Sequence, residues 1–325
     1  MARDGLVVVA GGGGFIGGWL TRALVAADLP VRVVDHSPLA HWHQRFDAAE
    51  NLVLDLREPN ACRMAVAGAH WVFDLACDMG GMGFIEAHKA DCMLSALVGI
   101  NLLVAARDEQ VDRFFFSSSA CVYPAMRQDA PDVAPLREDD AYPAMPEDGY
   151  GWEKLFMERL CRHFTEDFGL STRVARFHNV YGPHGPYRGG REKAPAAICR
   201  KVATAVLAGD REIEIWGDGQ QTRSFTHVDD CIEGTMRMMH SDIEEPVNVG
   251  SSELVTIDQL VDAVEAVAGA ALERRHVLDA PLGVRGRNSD NTLVRERLGW
   301  EPTTRLVDGI EPTYRWVYDE VARRV

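Results

Sequence analysis

Tyr150 and Lys154 stand four residues apart in YGWEK, a spacing that sets a phenol and an ammonium on one face of a helix. A neighbouring cation lowers a phenol from its ordinary pKa of about 10, which makes this tyrosine a candidate base for a hydroxyl proton. Upstream, FFFSSSACVYP (114–124) runs from an apolar segment into a small polar turn with Cys121 in its middle. A buried cysteine is commonly an inert core residue. A thiol also titrates at about 8.5, close enough to neutrality to give or take a proton.

A second pattern concerns binding. AGGGGFIGGWL (10–20) spaces Gly11, Gly14 and Gly17 three apart, with Phe15 and Ile16 between the last two. It follows an apolar run and opens a helical pattern. Glycines there allow a tight turn and bring the main chain against a pyrophosphate, which then rests on helix N–H groups. Asp35 closes the next apolar run eighteen residues after Gly17, where a carboxylate hydrogen-bonds ribose hydroxyls and repels a 2′-phosphate. Together these predict NAD as cofactor, with Asp55 and Leu56 edging the adenine.

The elements that must position these groups follow from the apolar runs. GLVVVA (5–10), VRVVD (31–35), NLVLDL (51–56), WVFDLA (71–76), RFFFSS (113–118) and TRVARF (172–177) read as parallel strands buried on both faces. Amphipathic helices are predicted over 16–27, 91–108 and 151–168, which gives an α/β, doubly wound parallel sheet of Rossmann type with ligands at the strands' carboxyl ends. Beyond residue 178 we expect a helix over 195–208, a strand near 212–216, a strand-to-helix segment over 225–239 and a strand at 246–250 returning to the sheet. Residues 129–148 read as a surface loop and 256–325 as helices and loops. The expected division is a NAD-binding lobe of 1–178 plus about 223–250, and a smaller substrate lobe of about 179–222 plus 251–325.

A chain of 325 residues with 46% apolar and 26% charged content suits a globular enzyme. Its formal charge of −15 (34 cations against 49 anions) argues against nucleic-acid binding. Seven dispersed cysteines without a CxxC pair suggest reduced thiols in a cytoplasm. The N-terminus reads as a buried strand and not as a signal peptide, and no uninterrupted apolar stretch is long enough to predict a membrane span. His178 and His184 lack ligand spacing, so no metal is expected.

YxxxK after a Ser-rich strand end in a dinucleotide fold resembles the short-chain dehydrogenase/reductases. DMGGMGF (78–84), SSACVYP (118–124), RFHNVYGPHG (176–185), GGREKAPAA (189–197), WGDGQQTRSF (216–225) and GVRGRNSDN (283–291) resemble the GDP-mannose 3,5-epimerases of the extended branch, over nearly the whole chain. The resemblance implies that Ser119 assists Tyr150 and that Lys154 also holds the nicotinamide ribose. It further implies that Cys121 and Lys193 are the acid/base pair, a GDP-mannose-type nucleotide sugar the substrate, and a homodimer the assembly, with helices 91–108 and 151–168 as its faces. Asn179 would hold the substrate, and Gly81, Met82 and Gly83 would form a turn letting the sugar rotate. Arg191, Lys201, Gln221, Arg223 and Arg287 would meet the nucleotide and diphosphate, with Arg188, Arg200 and Arg285 adding positive charge. The chain departs from the pattern at Trp152, Cys77 and Pro186-Tyr187-Arg188.

The chemistry asks for such a set. Oxidising carbon 4 of a hexose acidifies the C–H bonds at carbons 3 and 5, and inversion then needs two proton carriers besides the tyrosine. A 4-epimerase needs no thiol/lysine pair, and a 4,6-dehydratase would carry a Thr-Asp-Glu-type triplet where Ser119-Ala120-Cys121 stands. An NAD-binding sensor or scaffold needs no intact Ser/Tyr/Lys set. Cys77, Trp216, Met236, Met238 and Met239 read as packing.

Overall fold

The structure, a computed structural model, describes residues 5–281 and 283–324. In chain order the first half runs β1 (Leu6–Ala10), α1 (Phe15–Ala26), β2 (Val31–Asp35), β3 (Glu50–Val53), α2 (Pro59–Val66), β4 (Ala69–Asp74), α3 (Met82–Ala87), α4 (Lys89–Leu94), α5 (Ala96–Asp108), β5 (Arg113–Ser119), α6 (Tyr150–Phe168) and β6 (Ser171–Phe177). The second half runs β7 (Val180–Tyr181), α7 (Ala194–Ala208), β8 (Glu212–Trp216), β9 (Thr222–Ser224), β10 (Thr226–His227), α8 (Val228–His240), β11 (Val247–Val249), β12 (Leu254–Thr256), α9 (Ile257–Ala268), β13 (Glu273–Val277), β14 (Gly286–Arg287), α10 (Thr292–Leu298) and α11 (Leu306–Ala322).

Seven strands form one parallel sheet in the order β11-β6-β5-β4-β1-β2-β3. Alternation along β1 feeds two cores: Val7 and Val9 pack with α1 and α8, whereas Val8 and Ala10 pack with α2, α5 and α6. A third core gathers Ile198 and Val202 of α7, Leu260 and Val264 of α9, and Ile310 and Val317 of α11. The chain order reverses between β1 and β4, which opens a crevice at the carboxyl ends of the strands.

Several expectations shift. The strand expected over 51–56 ends at Val53, and that over 71–76 runs 69–74, leaving Leu75 and Ala76 to line the crevice. The helix expected over 91–108 is two, α4 and α5, divided at Ser95, whose hydroxyl accepts the Asp78 N–H at 2.8 Å. The 129–148 loop is pinned by buried Leu136 and Ala141. Strands β13 and β14 interrupt the region expected as helices and loops, pairing with β8 and β9. Their shortness and the polar sequence of β13 (ERRHV) hide them from any apolar pattern.

Candidate active site

The site begins where β5 ends. The Ser119 hydroxyl accepts the Cys121 N–H at 3.2 Å and caps a single tight turn over 120–122 that holds the thiol buried, 7% exposed. Behind it, Ser118 donates to Glu158 of α6, and Arg176 of β6 grips both oxygens of that carboxylate at 2.9 and 2.8 Å. This buried, hydrogen-bonded ion pair ties β5, β6 and α6 together beneath the turn that carries Cys121.

Glycine sets how closely α6 meets that turn. Gly149 precedes the helix at φ +73°, and a Cβ on Gly151 would lie 2.3 Å from the Cys121 carbonyl oxygen. Tyr150 therefore begins its helix against the thiol turn. A second glycine contact places Lys193: a Cβ on Gly81 would meet the Glu192 carbonyl oxygen at 2.6 Å, and Gly81 N–H donates to Arg191 O. The DMGGMGF turn is thus the bed on which the lysine loop lies.

Two adjoining clefts meet at these residues. One, about 600 Å³, is lined by Gly11, Gly14, Phe15, Ile16, Gly17 and Asp35 and continues past Tyr150 to Lys193. An annex of about 230 Å³ adds Asp55 and Leu56. The other, about 260 Å³, holds Gly81, Met82, Gly83, Asn179, Lys201, Gln221, Arg223, Arg287 and Cys121. Ser119, Tyr150 and Lys193 line both. A further cavity of about 830 Å³, around Arg137, Glu138, Glu244 and Asp290, lies away from all three.

The first cleft fits a dinucleotide. A Cβ on Gly17 would stand 2.3 Å from the Gly11 carbonyl oxygen, and one on Gly11 2.8 Å from the Ala76 backbone, so the turn is pressed against α1 and the segment that follows β4. Gly14 caps α1 with no side chain, leaving the first-turn amides for an anion. Asp35 accepts from Ser37, and Asp55 pairs with Arg57 at 2.6 Å, which holds its carboxyl down at about 2.

Electrostatics corrects one expectation and supports another. Tyr150 is not lowered toward neutrality by Lys154. Burial, followed by the Cys77 and Cys121 thiols and Glu153, pushes the phenol well above its ordinary value, and the Ser119 hydroxyl works the other way. Lys154 lies 1% exposed, its Nζ 5.4 Å from the Tyr150 ring centroid and 3.5 Å from Glu153. Burial opposes its charge, yet Cys77, Glu153 and Asp74 hold the ammonium above its usual range. Lys193, by contrast, is lowered by burial, as an acid/base role requires.

Among the cations expected for a diphosphate, several are held by protein groups. Arg191 bonds Asp78 at 2.5 Å and stacks over Phe84, Arg200 bonds Glu192 and the Tyr187 carbonyl, and Arg285 pairs with Asp218 outside the substrate cleft. Arg188 lies over the Tyr187 ring. Lys201 donates to Glu214 O at 2.7 Å, and burial lowers Arg223 to about 10. Asn179, at φ +39°, is anchored through Ser224 O.

These clefts and motifs match a known pattern. The model of the NAD dependent epimerase/dehydratase family matches residues 7–250. The chain belongs to that family. The epimerase/dehydratase chain is 45% identical over 318 residues to GDP-mannose 3,5-epimerase 1 of Oryza sativa subsp. japonica, covering 98% of this chain and 82% of that protein. It is 43% identical over 318 residues to the GDP-mannose 3,5-epimerase of Arabidopsis thaliana, covering 98% and 83%. Its fold superposes on a UDP-glucose 4-epimerase of Thermotoga maritima at TM-score 0.86 and 24% identity, covering 97% of this chain and 99% of that one. As a member of this family the protein uses NAD.

Three residues of this epimerase/dehydratase escape sequence reasoning. Trp216, expected in the core, is 45% exposed on the substrate cleft, with the Lys201 Nζ 5.7 Å from its ring centroid. Its place at the end of strand β8, directly before Gly217-Asp218-Gly219, was the available signal. Cys77, expected as packing, lines the cofactor cleft beside Tyr150. Glu147 bonds Arg287 from 140 residues away, and no sequence signal marks that pair.

Proposed function

We propose that the protein is a NAD-dependent isomerase that inverts carbons 3 and 5 of GDP-mannose through a 4-keto intermediate. Its product is GDP-L-galactose, with GDP-L-gulose where carbon 5 alone is inverted. One observation carries this reading: a thiol and a burial-lowered lysine, Cys121 and Lys193, line the same cleft as the oxidising pair Ser119 and Tyr150. The likeness to plant GDP-mannose 3,5-epimerases over 98% of the chain supports it.

NAD would be held by Gly11, Gly14, Phe15, Ile16, Gly17 and Asp35, and would supply a reversible hydride acceptor for carbon 4. Tyr150 takes the proton from the carbon-4 hydroxyl, with Ser119 favouring the phenolate. The resulting ketone makes the hydrogens on carbons 3 and 5 acidic. One of Cys121 and Lys193 removes a proton from the carbon, and the other returns one to the opposite side. The pair thus trades a proton at each inversion, and Tyr150 gives its proton back when carbon 4 is reduced. Asn179, Gln221, Lys201, Arg223 and Arg287 hold the nucleotide sugar in the second cleft.

The assembly we propose is a homodimer through α5 and α6. Leu97 on α5 and Trp152 and Phe156 on α6 are large, apolar and exposed, with Met93 and Leu94 of α4 beside them. The run Lys89–Asp108 is as long and apolar as a membrane span. It packs on α2 and α6 here, and a second copy would cover its outer face. Seven cysteines without a disulfide support a reducing, cytoplasmic setting. The test of the activity is incubation with GDP-mannose and no added NAD, with UDP-glucose in parallel. GDP-L-galactose or GDP-L-gulose is expected, and turnover of UDP-glucose alone would overturn the reading in favour of 4-epimerisation.

A further inference from the structure

Arg287 is expected at the substrate diphosphate, yet its guanidinium is organised around the thiol. It is 4% exposed, and Nε donates to Gln128 at 2.6 Å, Nη2 donates to Glu147, and Nη1 reaches the Cys121 sulfur at 3.7 Å. Glu147 meets the thiol turn directly and again through Arg287. Its N–H donates to the Cys121 carbonyl at 3.0 Å, while its carboxylate takes Arg287. The other oxygen, Oε2, is buried with no hydrogen-bond partner among the described residues. A buried carboxylate left half-bonded is costly, so its place here calls for a role.

The groups that face Cys121 explain what that role is. Tyr150 comes from α6, Lys193 from the start of α7, Arg223 from β9 and Arg287 from β14, with the Cys92 thiol from α4 and the half-buried Cys77 nearby. Three of these are cations; of the carboxylates nearby, Glu192 is taken up by Arg200 and the Gly190 N–H, and Glu147 is the one set against Arg287. A cationic surrounding without it holds a cysteine as the thiolate. A proton carrier must pass through both the thiol and the thiolate in each inversion.

We propose that Glu147 is a positioning residue for the epimerisation chemistry: it holds Arg287 at the Cys121 sulfur and offsets the positive charge there. This rests on Cys121 being a proton carrier in the reaction proposed above. It also means that a diphosphate reaching Arg287 meets a guanidinium already fixed by Gln128 and Glu147.

The test is alkylation of Cys121 by iodoacetamide between pH 6 and 9 in the substrate-free protein, followed at that residue by peptide mass spectrometry. In Glu147→Gln, which keeps shape and loses charge, the rate curve moves to lower pH by about 0.5 or more, and the rate at pH 7 rises about threefold. Glu147→Ala moves it the same way, whereas Glu147→Asp keeps the charge and the wild-type curve. Unchanged curves in the Gln and Ala variants, or an equal shift in the Asp variant, overturn the proposal. With GDP-mannose, the pH profile of proton exchange at carbons 3 and 5 follows the same displacement in Glu147→Gln, and substrate-dependent NADH formation does not. A shifted alkylation curve in a protein that exchanges nothing with GDP-mannose would sink the reading of function while leaving Glu147 its part at the thiol.

Discussion

In the proposed reaction Ser119 and Tyr150 account for an oxidation, and nothing in them inverts a carbon. We propose that the inversion is carried by Cys121 and Lys193, which reach one cleft from the end of β5 and the start of α7. Replacing either therefore separates the two halves of the reaction. Cys121→Ser and Lys193→Ala should each lower exchange at carbons 3 and 5 by about 10²–10⁴-fold while substrate-dependent NADH formation persists. Exchange at the wild-type rate in either variant would refute the assignment. The closeness of Ser119 to Cys121 and the shared helical face of Tyr150 and Lys154 were legible in the spacing, whereas the pairing of Cys121 with Lys193 was implied by resemblance alone. The direction of the Tyr150 shift was not, since burial and two thiols outweigh the hydroxyl that favours its ionised form. The Arg287–Glu147 pair joins positions 140 apart, and only the folded chain brings them together.

At the level of elements, the central strands announced themselves because both faces are covered and their runs are mostly apolar. In the second half, β8 and β11 showed in the sequence, whereas β13 and β14 bury too little to leave a pattern. Helix α6 is positioned by glycines and by a buried acid cluster beneath Lys154 that has its own signature. Burial holds the Asp74 carboxyl up at about 7. An unfolded aspartate titrates near 3.9, so between roughly pH 4 and 7 the folded state keeps a proton that the unfolded state has lost. Asp74 therefore costs stability as pH rises through that window. Asp74→Asn should melt with the wild type near pH 4 and a few degrees above it at pH 7. A difference that does not grow with pH would contradict the assignment.

For the whole molecule, the fold class was legible from alternating strands and helices, but the meeting of two clefts at Ser119, Tyr150 and Lys193 was not, because their lining comes from both halves of the chain. The outer face of α5 and α6 belongs to the same scale. Wild type should sediment as a dimer, and Leu97→Glu with Phe156→Glu should give a monomer; a monomeric wild type would refute the α5/α6 interface. The central claim is that oxidation at carbon 4 serves inversion at carbons 3 and 5. Incubation with GDP-mannose in deuterium oxide, without added NAD, reads this directly by magnetic resonance. Deuterium at sugar carbons 3 and 5, with the configuration at carbon 4 kept, is the predicted result. A change at carbon 4 alone, or no label at either carbon, would contradict it.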